Sequence, residues 1–102
     1  KTAIPILKKI LVCLPPAHQA RNQLGICFTR EQDWDNALKV YRKLTRDNPD
    51  VPLYWSNYGA TFKQYAESLP DDNPKKKELY HQAREQFKKA IDCLMSQNWI
   101  CI

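Results

Sequence analysis

The chain has 102 residues, 43% hydrophobic and 26% charged, a balance that fits one ordinary globular domain and excludes a disordered or fibrous polypeptide. Sixteen basic residues against eleven acidic ones leave a formal charge of +5, which suits an acidic partner without specifying one. The longest apolar run, Ile10 to Leu14, is far below the roughly 18 residues of a membrane span, so no span is expected.

Apolar residues recur at three- and four-residue steps between prolines, the pattern of amphipathic helices, and no strand-like alternation competes with it. Five helices are predicted. The first, 2–14, carries Ala3, Leu7, Ile10 and Leu11, and the second, 17–30, carries Leu24, Ile26, Cys27 and Phe28. The third, 34–47, is built on Ala37, Val40, Tyr41 and Leu44. A fourth follows at 52–68, and the fifth, 75–96, repeats the period in Tyr80, Ala83, Phe87, Ala90, Ile91 and Leu94.

Compared with itself, the chain shows a repeat. A shift of 34 residues carries Ala3, Leu7, Ile10 and Pro15 onto Ala37, Tyr41, Leu44 and Pro49, and Leu24, Gly25 and Phe28 onto Tyr58, Gly59 and Phe62. Ala37, Tyr41 and Leu44 recur as Ala83, Phe87 and Ala90, now 46 residues on, so twelve extra residues lie between Phe62 and Ala83. The two glycines of the chain sit one period apart, each inside a predicted helix where it costs about 1 kcal/mol relative to alanine. Close approach of the second helix of the same hairpin explains them, with Ala37 and Ala83 serving the same packing from that second helix.

This period and these residue types resemble the tetratricopeptide repeat, whose helix–turn–helix pattern is W-x2-L-G-x2-Y followed by A-x3-F-x2-A and a closing proline. Trp55, Tyr58, Gly59 and Phe62, then Ala83, Phe87 and Ala90, follow that pattern. So do Leu24, Gly25, Phe28, Ala37, Tyr41 and Pro49, with departures at Arg21 in place of Trp and Leu44 in place of a small residue. The resemblance implies an all-α fold of antiparallel helix-turn-helix repeats stacked as a right-handed superhelix, about two and a half repeats long. The 102 residues then form a single domain. Residues 1–17 are the second helix of a partial repeat, 18–51 a full repeat, 52–97 a full repeat with the insertion, and 98–102 an apolar tail that could start a further helix. The insertion should lengthen both helices of its hairpin by about a turn and join them near 69–73. Asn73 before Pro74 is a helix-start signal.

In that family the first helix of each pair lines a concave groove. Here the groove would present Gln19, Asn22, Ile26, Thr29 and Arg30 from one helix, and Leu53, Ser56, Asn57, Ala60, Lys63 and Gln64 from the next. Amide, hydroxyl, small apolar and basic groups suit an extended peptide or a helix segment of a partner protein. The expected function is therefore a non-catalytic scaffold or adaptor. A family subset grips chaperone C-terminal carboxylates with lysines and asparagines. Asn57 matches that clamp, but Asn22 and Ile26 stand where a lysine and a second asparagine belong.

Lys8, Lys9, Arg42, Lys43, Lys88 and Lys89 share one register on the second helices and would align as a basic ridge. Acidic residues dilute it and no aromatics interleave to stack bases, so a solvated face is expected there first, an acidic protein partner next and nucleic acid last. Cys13, Cys27, Cys93 and Cys101 lack paired metal-ligand spacing and read as buried, reduced thiols, with Cys101 the most exposed. His18 and His81 fall in no nucleophile–base motif. No catalytic, metal or cofactor site is expected, and reduced thiols point to the cytoplasm. Lys1 in place of Met, Ile4, Leu7, Leu11 and Val12 at one end and Trp99 to Ile102 at the other suggest a piece of a longer array. Its apolar ends would dock neighbouring helices or self-associate, which is the alternative function: an assembly element.

Overall fold

The computed structural model describes the backbone of residues 17–101 and the side chains of 17–96. The helix expected at 2–14, with Lys8, Lys9, Cys13 and the apolar face built on Ile4 and Leu7, lies outside the described residues. So do the side chains of Trp99 to Ile102. Within them the fold is helical throughout: α1 is Ala17–Arg30, α2 is Trp34–Asp47, α3 is Pro52–Glu67 and α4 is Pro74–Cys101.

The connection 31–33 follows from hydrogen bonding at the end of α1. The amide of Asp33 donates to the Phe28 carbonyl (2.9 Å), and that of Gln32 to the Thr29 carbonyl (3.0 Å). Gln32 takes the left-handed conformation, φ 60°, that reverses the chain and lets the last carbonyls find donors. Pro52 opens α3, and Pro74 opens α4 behind the Asn73 cap, whose Oδ1 accepts from the Lys75 amide at 2.9 Å. The Asn73–Pro74 start signal is thus realised. Lys76 folds back to donate to the Leu69 carbonyl (3.1 Å) and to Asp71 Oδ1 (2.8 Å), closing the connection. Hydrogen bonding and attraction from Lys76 hold the Asp71 carboxyl below its ordinary range.

α2 and α3 pack antiparallel. Trp34 stacks on Tyr65 with centroids 5.4 Å apart, and Tyr41 lies over Tyr58 at 6.5 Å. Tyr41, Leu44, Tyr54, Tyr58, Phe62, Ala66, Leu79 and Ala83 form the buried cluster. α3 sits at its centre, covered by α1, α2 and α4, and so Tyr58 and Phe62 are buried. Their repeat equivalents Leu24 and Phe28 are only half-buried. Leu44, where the repeat pattern has a small residue, is 1% exposed and fills the space beside Tyr54 and Tyr58.

Both glycines mark close approach. A Cβ on Gly25 would stand 2.8 Å from Tyr41 Cζ, and one on Gly59 would stand 3.0 Å from Phe87 Cδ1 and 3.1 Å from the Ala83 carbonyl oxygen. In each hairpin the second helix therefore rests on the backbone of the first, and Ala37 and Ala83 are buried there.

The insertion is shared unevenly. α3 runs three residues beyond Gln64, the equivalent of Arg30, whereas α4 begins six residues before Tyr80, the equivalent of Trp34. The connection takes the remainder. At the other end α2 stops before Pro49, but the equivalent position in α4 is Met95, which does not break a helix. α4 therefore continues to Cys101. Residues 98–101 extend that helix instead of opening a new element, and the boundary expected at 97 falls inside it.

Two stability effects follow. Gly25→Ala and Gly59→Ala each gain about 1 kcal/mol of helix propensity but overpack by roughly 1–3 kcal/mol. Each should lower the unfolding free energy by about 1 kcal/mol net, read as a lower urea midpoint, and a rise would remove close approach as their reason. Gln32→Gly should raise stability by about 1 kcal/mol, because glycine adopts the left-handed conformation without the Cβ penalty. Urea unfolding at unchanged m-value measures both.

Candidate functional site

α1 and α3 run side by side in the same direction, and a line of polar contacts joins them. His18 Nδ1 lies 2.7 Å from Tyr54 Oη, Asn57 Nδ2 donates to Asn22 Oδ1 at 3.0 Å, and the hydroxyls of Thr29 and Thr61 are 3.1 Å apart. Thr29 also meets the Gly25 carbonyl and Thr61 the Asn57 carbonyl, both at 2.9 Å. Two hydroxyl hydrogens thus serve three contacts, so one contact always lacks a proton. Burial raises the affinity of Tyr54 for its proton, so the phenol stays neutral beside His18.

Above this seam lies a furrow with three hollows. The first, about 350 Å³, is lined by His18, Gln19, Asn22, Gln23, Val51, Leu53 and Tyr54. The second, about 290 Å³, lies between Ile26, Thr29, Arg30, Asn57, Ala60, Thr61 and Gln64, with Tyr41 at its floor. Arg30 and Gln64 also border the third, about 310 Å³, with Trp34, Glu67 and Ser68. Leu53 is 56% exposed at the edge of the first hollow.

Of the residues expected in the groove, Gln19, Asn22, Ile26, Thr29, Arg30, Leu53, Asn57, Ala60 and Gln64 line these hollows. Ser56 and Lys63 line none of them; by helical spacing they fall on the edge of α3 turned from α1. Asn22 is 5% exposed and held by Asn57, so that pair is part of the seam first and a ligand contact second. Sequence reasoning missed His18, Tyr54, Thr61 and Trp34. Tyr54 and Thr61 sit one position after Leu53 and Ala60, and only the approach of α1 turns them toward the furrow.

The four described ridge residues, Arg42, Lys43, Lys88 and Lys89, are all exposed. Lys43 pairs with Asp47 at 3.2 Å, holding its carboxyl below the ordinary range with smaller help from Arg46 and Arg21. Lys89 lies over the Trp55 ring, 4.9 Å from its centroid. Two of the four ridge residues, Lys43 and Lys89, are thus engaged by neighbours on their own hairpins. In the second hairpin Trp55 fills the tryptophan position of the repeat pattern and donates to the Pro49 carbonyl at 2.9 Å. In the first, Arg21 adds the smallest of the attractions that lower the Asp47 carboxyl, and its replacing Trp has no structural explanation.

A further hollow of about 420 Å³ lies at the elbow, between Pro49, Asp50, Trp55, Lys89, Asp92, Cys93 and Ser96. The Cys93 thiol donates to the Pro49 carbonyl at 3.4 Å. Cys27 and Cys93 are free and half-buried, not buried as expected, and Cys93 opens on the elbow hollow. Burial, helped by Asp50, pushes the Cys93 thiol up. Among the described residues no group of three His, Cys, Asp or Glu side chains is placed to hold a metal ion, and no helix is long and apolar enough to cross a membrane.

Against models of known families, curated proteins and solved structures, the chain has no significant match.

A double-mutant cycle on Asn22→Ala and Asn57→Ala should return a coupling of about 1 kcal/mol, the net worth of a neutral hydrogen bond. Additive losses would remove the pair from the seam. Cys93, neutral through neutral pH, should be alkylated appreciably only above the ordinary thiol midpoint of about 8.5. Mass-spectrometric mapping across a pH series reads this, and fast labelling at pH 7 contradicts it.

Proposed function

We propose that the chain is a non-catalytic protein-interaction module of the tetratricopeptide type, its hairpins stacked as a right-handed superhelix and its α1–α3 furrow taking an extended segment of a partner protein. The observation that carries this is the run of three hollows along one pair of parallel helices, bordered by side chains of both. The glycine-based packing of each hairpin and the polar seam between first helices support the repeat reading. Cytoplasmic residence belongs to the same proposal and rests on the free thiols of Cys27 and Cys93.

The chemistry of the furrow suits a peptide. Leu53 and Ala60 are seven residues apart, about 10 Å along the helix, which three residues of an extended chain span. Apolar surface at Ile26 and Ala60 would take a small aliphatic side chain, while Asn57 and Gln64 supply donors and acceptors for its backbone. Arg30, exposed between two hollows, would favour a peptide carboxylate. The chaperone-type carboxylate clamp is not part of the proposal, since Asn22 and Ile26 replace its residues.

Selection of random peptides displayed on phage, followed by fluorescence anisotropy with the winner, tests this reading. Arg30→Ala combined with Gln64→Ala should weaken binding about tenfold or more, roughly 1.4 kcal/mol, with helicity unchanged. Equal affinity for the variant, or no peptide recovered, would overturn the groove assignment.

A further inference from the structure

The second helices carry another face whose role the furrow does not absorb. The 46-residue shift maps Trp34, Tyr41 and Thr45 of α2, and Asn48 that caps it, onto Tyr80, Phe87, Ile91 and Leu94 of α4. On α2 this face is covered by α3: Trp34 stacks on Tyr65, Tyr41 on Tyr58, and Thr45 is 3% exposed. On α4 Phe87 rests on Gly59, but beyond it the same register is open and more apolar. Ile91 is 55% exposed, Leu94 49% and Met95 65%. They recur at the three- and four-residue steps that place side chains in one stripe.

The edge of α3 repeats in the same way. His18, Asn22 and Thr29, through which α1 touches α3, map by the 34-residue shift onto Pro52, Ser56 and Lys63. This is the edge on which Ser56 and Lys63 lie, away from the three hollows. The open stripe and this edge are therefore the two walls of one seat, built as the seat that α3 occupies between α1 and α2.

We propose that this seat binds an amphipathic helix of a partner protein, antiparallel to α4 and parallel to α3, with an apolar stripe toward Ile91, Leu94 and Met95 and an acidic residue toward Lys63. The α3-on-α2 packing fixes the occupant's secondary structure and direction. The acidic flank follows from charge: Lys63 stands where Thr29 meets Thr61 one repeat earlier, and exposed Arg84 and Lys88 border the stripe. The inference is independent of the furrow, which lies on the other side of α3.

The probe is a stapled helical peptide of residues 51–68 of this chain, carrying Thr61→Glu so that a carboxylate meets Lys63. It should bind the wild-type chain by anisotropy and protect α4 amides from hydrogen exchange. Ile91→Asp with Met95→Asp should weaken it at least about tenfold; both positions are exposed, so unchanged circular dichroism is expected. The Arg30→Ala, Gln64→Ala chain should bind the probe normally, which separates this seat from the furrow. A Thr61→Lys probe should bind several-fold more weakly. The proposal falls if the Asp variant binds equally, if α4 gains no protection, or if the Lys probe binds as well. It also falls if the wild-type chain doubles in mass with concentration through Ile91, because a second copy is then the occupant.

Discussion

The arrangement depends on two missing methyl groups. At Gly25 and Gly59 the backbone of a first helix is bare, and Tyr41 and Phe87 lie where a Cβ would stand. That contact fixes the depth of each hairpin. Tyr41, seated on the Gly25 backbone, also presents its ring to Tyr58. With α2 so turned, Trp34 meets Tyr65 and α3 is held in one register. The energetic logic is ordinary: about 1 kcal/mol of helix propensity is given up at each glycine, and a buried aromatic gains tight contact on the backbone.

α3 is the element that transmits this register. One side carries Tyr58 and Tyr65 against α2, another carries Gly59 and Phe62 toward α4, and a third meets α1 through Tyr54, Asn57 and Thr61. The third contact is polar and shallow, and it is this shallowness that leaves a furrow. The candidate binding surface thus lies over the part of the first-helix interface that is joined by hydrogen bonds.

The two open surfaces differ in kind. The furrow is rich in amides and hydroxyls, groups that satisfy a peptide backbone. The α4 stripe is aliphatic, as the buried face of a helix pair is, and its edges are basic. A module with both could hold an extended segment in one place and a helix in another.

Helix identity, the boundaries at 17, 30, 34 and 47, and the equivalence of the two hairpins were legible in the sequence, because periodicity, proline breaks and glycine placement are local or nearly local signals. The Asn73–Pro74 start of α4 was legible for the same reason. Most of the furrow residues followed from helical geometry once the core-facing side was fixed by Gly25, Tyr58 and Phe62. The sequence could not separate Ser56 and Lys63 from the furrow, or commit Asn22 to Asn57, because both outcomes depend on where a second helix lies. Nor could it say how the twelve inserted residues divide, since α3 and α4 can each be lengthened at similar local cost. Tertiary packing decided those points, for the physical reason that one helical face borders two neighbours and only their positions say which side chains are covered.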